Sequence, residues 1–139
     1  MQAADGYFSY GMNVDNSLHI TNNADVTVLS GIPSESYKAV LGMETGQLVI
    51  DSGKLTCSAA ECNGDFSCAV STGELTMNGG EVILSGNNYD LEVWNGKPVI
   101  PSNASVSFQG TGLILIKEGK YIWDEASRTF VCAGHEEAF

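Results

Sequence analysis

Gly46-Gln-Leu-Val-Ile-Asp-Ser-Gly-Lys-Leu-Thr-Cys57 aligns without a gap on Gly73-Glu-Leu-Thr-Met-Asn-Gly-Gly-Glu-Val-Ile-Leu84, and this alignment decides the fold. Each stretch is an alternating strand, a short turn led by Asp or Asn, and a second alternating strand. Asn16-Ser-Leu-His-Ile-Thr-Asn-Asn-Ala-Asp-Val-Thr-Val28 repeats the pattern upstream, and Ser105-Val-Ser-Phe-Gln-Gly-Thr-Gly-Leu-Ile-Leu115 repeats it downstream. Leu18, Leu48, Leu75 and Val106 then share one slot at steps of 30, 27 and 31 residues. Val26, Leu55, Val82 and Leu113 share the matching slot of the second strand. A self-similarity of this length is the mark of a stacked repeat.

A third element precedes each unit. Phe8-Ser-Tyr-Gly-Met12, Tyr37-Lys-Ala-Val-Leu41 and Phe66-Ser-Cys-Ala-Val70 align at 29-residue steps, with Tyr89-Asp-Leu-Glu-Val93 next and Tyr121-Ile-Trp123 a degenerate last copy. The pairs Asn22-Asn23, Ser52-Gly53, Gly79-Gly80 and Gly110-Thr111 fall where corners are needed. No 3.6-residue stripe persists, so the chain is read as all-β. Antiparallel hairpins in a sandwich or barrel fit short strands joined by such turns. The near-constant period favours a parallel β-solenoid instead, each coil stacked on the last at about 4.8 Å. The expected fold is a right-handed parallel β-helix of four to five coils, with about three short strands per coil. Its hand follows from the general preference of crossovers between parallel strands.

That fold predicts the core. Phe8, Tyr37, Phe66 and Tyr89 form an aromatic stack inside or at a corner. Cys68 joins Tyr10, Ala39 and Leu91, and Cys57 joins Val28, Leu84 and Leu115, as small core residues. The four cysteines, Cys57, Cys62, Cys68 and Cys132, allow two disulfides in three connectivities, and a Cys57–Cys62 bridge stays open. Their spacing does not match a zinc site. Ile100-Pro-Ser-Asn103 reads as an insertion. The chain is taken as one domain, 1–139, with repeats over roughly 7–116 and a C-terminal cap over 117–139.

The chain of 139 residues carries 6 Lys plus Arg against 17 Asp plus Glu, a formal charge of −11. Such a surface repels phosphate backbones, so nucleic acid and anionic membrane faces are poor partners. No apolar run reaches the roughly 18 residues of a bilayer span, so no membrane insertion is expected. Met1-Gln-Ala-Ala-Asp-Gly-Tyr lacks the basic and apolar regions of a signal peptide, which suits a cytosolic protein or a mature or excised piece.

The segments Tyr10-Gly-Met-Asn-Val-Asp-Asn-Ser-Leu-His-Ile, Gly46-Gln-Leu-Val-Ile-Asp-Ser-Gly and Gly73-Glu-Leu-Thr-Met-Asn-Gly-Gly carry a resemblance. They resemble the G-x-L-T-I-x-G-G-x-V repeats of bacterial cell-surface parallel β-helix modules of the Firmicutes type, over roughly residues 7–116. The resemblance implies an extracellular or cell-surface location, as part of a larger surface protein. It also implies carbohydrate binding, which in some modules means acidic plant polysaccharide with calcium. The irregular coils, the cysteines and the tail depart from the tidier members, and no family ligand residue maps onto a position here.

No catalytic constellation is legible. The single Arg, Arg128, sits in the expected cap, the lysines are scattered, and no Ser occupies a Gly-x-Ser-x-Gly elbow. The expectation is a non-enzyme. Calcium is the one cofactor the carboxylates admit, with Asp25, Asp51, Asp65, Asp90 and also Glu61 as candidate ligands, although Asp and Asn also occupy corners for their turn geometry. For sugar binding the aromatic platforms are Trp94, next to Glu92 and Asn95, and Trp123, beside Tyr121 and Asp124. Trp94 shares the expected outward parity of Asp90 and Glu92, whereas Trp123 also fits a cap over the core. The expected function is a non-catalytic surface module binding polysaccharide or glycan. The alternatives are a structural spacer or adhesin segment with no small ligand, and a polysaccharide lyase or hydrolase relic.

Overall fold

The computed structural model describes residues 8–30, 39–60 and 66–135, and the fold is stated for these. In chain order the elements are β1 (Phe8–Ile20), β2 (Asp25–Leu29), β3 (Ala39–Ile50), β4 (Lys54–Ser58), β5 (Phe66–Met77) and β6 (Gly80–Ser85). They continue with β7 (Tyr89–Val93), β8 (Ala104–Phe108), β9 (Ile114–Ile116), β10 (Gly119–Asp124) and β11 (Thr129–His135). All are strands, and no helix occurs among the described residues. One sheet runs β1-β3-β5-β7-β9-β10-β11 and the other β2-β4-β6-β8. Pairing is parallel throughout except in the terminal β9-β10-β11 meander. The chain is a β-solenoid of about three turns.

Period-2 alternation and register together build the core. Leu18, Leu48 and Leu75 stack in register, as do Ile20, Ile50 and Met77 on the next inward position. In the second sheet Val26, Leu55, Val82 and Val106 form one column, and Val28, Cys57, Leu84 and Phe108 the other. The middle rungs are sealed: Leu48, Ile50, Leu55 and Leu84 are at most 1% exposed. The first rung is sealed only in part, since Ile20 and Val28 are buried while Met12, Leu18 and Val26 are only partly so.

Corners are fixed by backbone approach. At Gly73 an added Cβ would lie 2.5 Å from the carbonyl oxygen of Gly46, and at Gly46 it would lie 2.7 Å from that of Asn16. The next corner needs left-handed backbone instead. Asn22 and Asn23 adopt φ 57° and 58°, while Gly53 and Gly80 adopt 90° and 81°. Asn and Gly tolerate that region best, which explains the turn pairs seen in the sequence.

Several registers differ from expectation. The long strands β1, β3 and β5 each run through two of the three anticipated short strands, with pairing skipped at Gly42/Ala69 and Gly46/Gly73. Ala39, not Tyr37, pairs with Phe66, and Tyr37 lies outside the described residues. Cys68 pairs with Leu41 and Tyr89, two residues away from the anticipated Ala39 and Leu91. Val106 stands on Val82 rather than Leu75, and Leu115 pairs with Glu92 rather than joining Cys57. The reason for the last shift is Asp90, described below, which holds residues 110–112 as a loop where the repeat implies a turn.

Cys57 and Cys68 are buried thiols, each donating to a carbonyl, of Ala69 and Val70 respectively, at 3.1 Å. The Cys57–Cys62 bridge is therefore not formed; Cys62 itself lies outside the described residues. Burial pushes the Cys57 thiol up to about 12.

Leu55→Ala, in a sealed middle rung, is expected to cost about 3 kcal/mol of stability. Val26→Ala, in the same column but on the partly sealed first rung, is expected to cost less than about 1 kcal/mol. Urea unfolding of both variants measures the contrast, and equal losses would contradict the stacked order.

Candidate functional site

The regular repeat breaks after Val93, and a concave surface lies at that break. β7 pairs with β5 only from Cys68 to Thr72. Trp94 N then donates to Thr72 O at 3.0 Å and Asn95 N to Gly73 O at 2.9 Å, after which the chain swings away. Two grooves result. One, of about 440 Å³, follows the Gly46 corner and is lined by Asp15, Asn16, Gln47, Glu74 and Asn95 among others. The second, of about 470 Å³, separates Glu74–Asn78 from the loop 95–101. Asn95 and Glu74 line both. Ser17, Gln47 and Glu74 occupy consecutive rungs, so their polar groups recur at about 4.8 Å along the solenoid.

Trp94, immediately before Asn95, is 46% exposed. Glu92 shares its face and accepts from Ser71 Oγ at 2.6 Å. Glu44 stands one rung beyond Ser71, and its carboxyl is raised above 4.5 by burial first and by the Glu92 charge second. Trp123 and Tyr121 lie elsewhere, in the terminal meander. The Trp123 ring packs edge-on against Phe130 at 5.0 Å, its Nε1 donates to Glu125 at 2.6 Å, and Arg128 sits 5.8 Å over its face. Arg128 Nη2 donates to Pro101 O at 3.0 Å and Ala104 O at 2.7 Å, tying the meander to the start of β8. Tyr121 packs on the main core with Lys97 over its ring. Trp94 and Glu92 thus lie two residues apart at the end of β7, whereas Trp123 and Tyr121 belong to β10, Tyr121 beneath Lys97 of the groove loop.

The aspartates do not converge. Asp25 starts β2 beside Lys54. Asp51 occupies a corner where Asn78 Nδ2 donates to it at 2.7 Å and His19 Nε2 approaches at 2.5 Å. Asn103 extends this polar ladder by donating to Asn78 O at 2.9 Å. Asp90 is fully buried, not outward as parity implied. Its Oδ1 accepts from the N–H groups of Gly86 and Thr111, and its Oδ2 from those of Gly110 and Gly112, at 2.9 to 3.2 Å. Those four bonds use the carboxylate's lone pairs to pin two loops. Asp65 and Glu61 lie outside the described residues. Among the described residues, no group of three His, Cys, Asp or Glu side chains is placed to hold a metal ion.

Sequence reading missed Asp15, Asn16, Gln47 and Glu74 as a lining. The available signal was the 27-residue recurrence of Gly46 and Gly73 with a polar residue after each, which marks a corner open to solvent. The Asp90 loop staple was not legible, because its donors are backbone groups.

The two perturbed carboxylates predict pH profiles of opposite sign. Hydrogen bonds from Asn78 and then His19 hold Asp51 below 3.8, so its contribution is full above that value and is lost as pH falls through the lowered folded one. Asp51→Asn should therefore lose stability at pH 7 and match the parent near pH 2. Glu44 is raised, so ionisation destabilises the fold as pH rises through its folded value. Glu44→Gln should gain stability at pH 7 and show no gain at pH 3. Thermal midpoints across pH 2–8 measure both, and parallel curves would refute the assignments.

No family model, curated protein or solved structure matches this chain.

Proposed function

We propose that the chain is a non-catalytic, extracellular surface module that binds polysaccharide or glycan along the Gly46–Gly73 corner. The observation that carries this reading is the pair of polar grooves that share Glu74 and Asn95, with the exposed Trp94 one residue before Asn95 in the chain. Amide and carboxylate groups at rung spacing offer hydrogen bonds to successive sugar hydroxyls, and an exposed indole offers a face for stacking. The resemblance to bacterial cell-surface β-helix modules supports the same role, within a right-handed solenoid of four to five coils belonging to a larger surface protein.

The groove's own carboxylates, Asp15 and Glu74, disfavour an anionic glycan unless a cation bridges them. A neutral glycan is therefore the expected ligand, and calcium dependence marks an acidic one. A second reading, a spacer or adhesin segment without a small ligand, is supported by the in-register stacking of β3 on β5.

Affinity electrophoresis against neutral and acidic polysaccharides, in matched calcium and chelator buffers, tests the proposal. The parent chain is expected to bind, and Trp94→Ala to weaken binding about tenfold or more with the fold intact. Trp123→Ala should leave binding unchanged after correction for any loss of stability. Absence of binding in every buffer by folded protein sinks the glycan reading and leaves the spacer. No helix long and apolar enough to cross a membrane occurs among the described residues.

A further inference from the structure

The groove beside Glu74–Met77 is the place of a missing strand. β3 pairs with β5 through Met77, yet β7 covers β5 only to Thr72. Asn78 N donates to Ile50 O at 2.8 Å, so Thr76, two residues earlier in the strand, directs its backbone groups towards β3. Backbone groups alternate in direction along a strand, so Leu75 and Met77 direct theirs into the groove. The two ends of this edge are closed, by Asn95 N on Gly73 O and by Asn103 Nδ2 on Asn78 O at 2.9 Å each. Between those bonds, among the described residues, no hydrogen bond joins loop 96–102 to the backbone of Glu74–Met77. Pro98 and Pro101 lack N–H groups, which denies the loop a ladder of its own. Val99, on the groove wall, is 83% exposed.

We propose that this edge takes an extended segment of a partner protein, about four residues long, as an added parallel strand continuing the β3–β5 ladder. Continuity with that ladder fixes the chemistry of the occupant. Leu75 and Met77 point inward, 7% and 4% exposed within the main core, so a strand in register with them turns its second and fourth side chains to that apolar side. Glu74 points outward and is exposed, so the first position is basic, as a cross-strand partner to a carboxylate on a chain of charge −11. Lys-Val-Thr-Val meets both conditions.

In a parallel pair the third residue's N–H donates to Leu75 O, whereas the second residue's N–H points away. The test is an amide NMR titration of the whole chain with acetyl-Gly-Lys-Val-Thr-Val-Gly-amide, together with hydrogen exchange. In the free protein the Leu75 and Met77 amides should exchange at least about tenfold faster than that of Thr76, and peptide should slow them at least about tenfold. N-methylation at Thr should weaken binding at least about tenfold, and N-methylation at the first Val should leave it unchanged. Glu74→Lys should reverse the preference towards a peptide with Glu in place of Lys. The proposal is overturned by slow exchange of Leu75 and Met77 in the free chain, or by no saturable shift at millimolar peptide. It is equally overturned by equal affinities of the two N-methyl peptides. Protection of the same amides by glycan, or by self-association in the absence of peptide, would assign the edge to that occupant instead.

Discussion

The coil-on-coil hydrogen-bond ladder between β1, β3 and β5 is the constraint from which the rest of the structure follows. Parallel pairing repeats each backbone group at about 4.8 Å, so a side chain on one coil meets its equivalent on the next. Like must therefore stack on like, as Leu18, Leu48 and Leu75 do. The same spacing dictates the corners. Gly73 sits where a Cβ would strike the Gly46 carbonyl, and Gly53 and Gly80 supply the left-handed backbone that turns the chain into the second sheet. A single misplaced side chain at these positions would push two coils apart.

Concavity arises where this constraint is released. β7 ends at Val93, and the loop 95–101 replaces a length of strand that the preceding coils possess. Asp90 and Arg128 make the departure tolerable. The first gathers four backbone N–H groups from two loops on one buried carboxylate, and the second offers its guanidinium to the Pro101 and Ala104 carbonyls. Polar backbone that would otherwise lack a strand partner is satisfied by side chains. Asn95 and the open edge of β5 thus come together because one rung of the solenoid is left unfinished.

The solenoid itself was legible because its signals are local and repeated: period-2 alternation, turn pairs in fixed slots, and equivalent residues at near-constant steps. The stacks built from the two central repeats, Leu48 on Leu75 and Leu55 on Val82, match the sequence alignment. The last coil was misread because Ser105–Leu115 imitates a strand-turn-strand unit, while the Asp90 carboxylate draws Gly110, Thr111 and Gly112 into a loop. A contact of a side chain with distant backbone leaves no periodic trace. Of the candidate site, the exposure of Trp94 followed from parity, although the same parity misplaced Asp90, which is buried. The groove lining was not legible, because Asp15, Gln47 and Glu74 become neighbours only once the register is fixed.

The central claim, that successive repeats stack in parallel and in register, is tested most directly by inter-strand nuclear Overhauser effects in the intact chain. The account predicts amide-to-Hα contacts linking His19 to Ile50 and Val49 to Met77, the neighbours expected of the His19, Val49 and Thr76 rung. Hα–Hα contacts between the strands flanking Ser52-Gly53, as in an antiparallel hairpin, would contradict it.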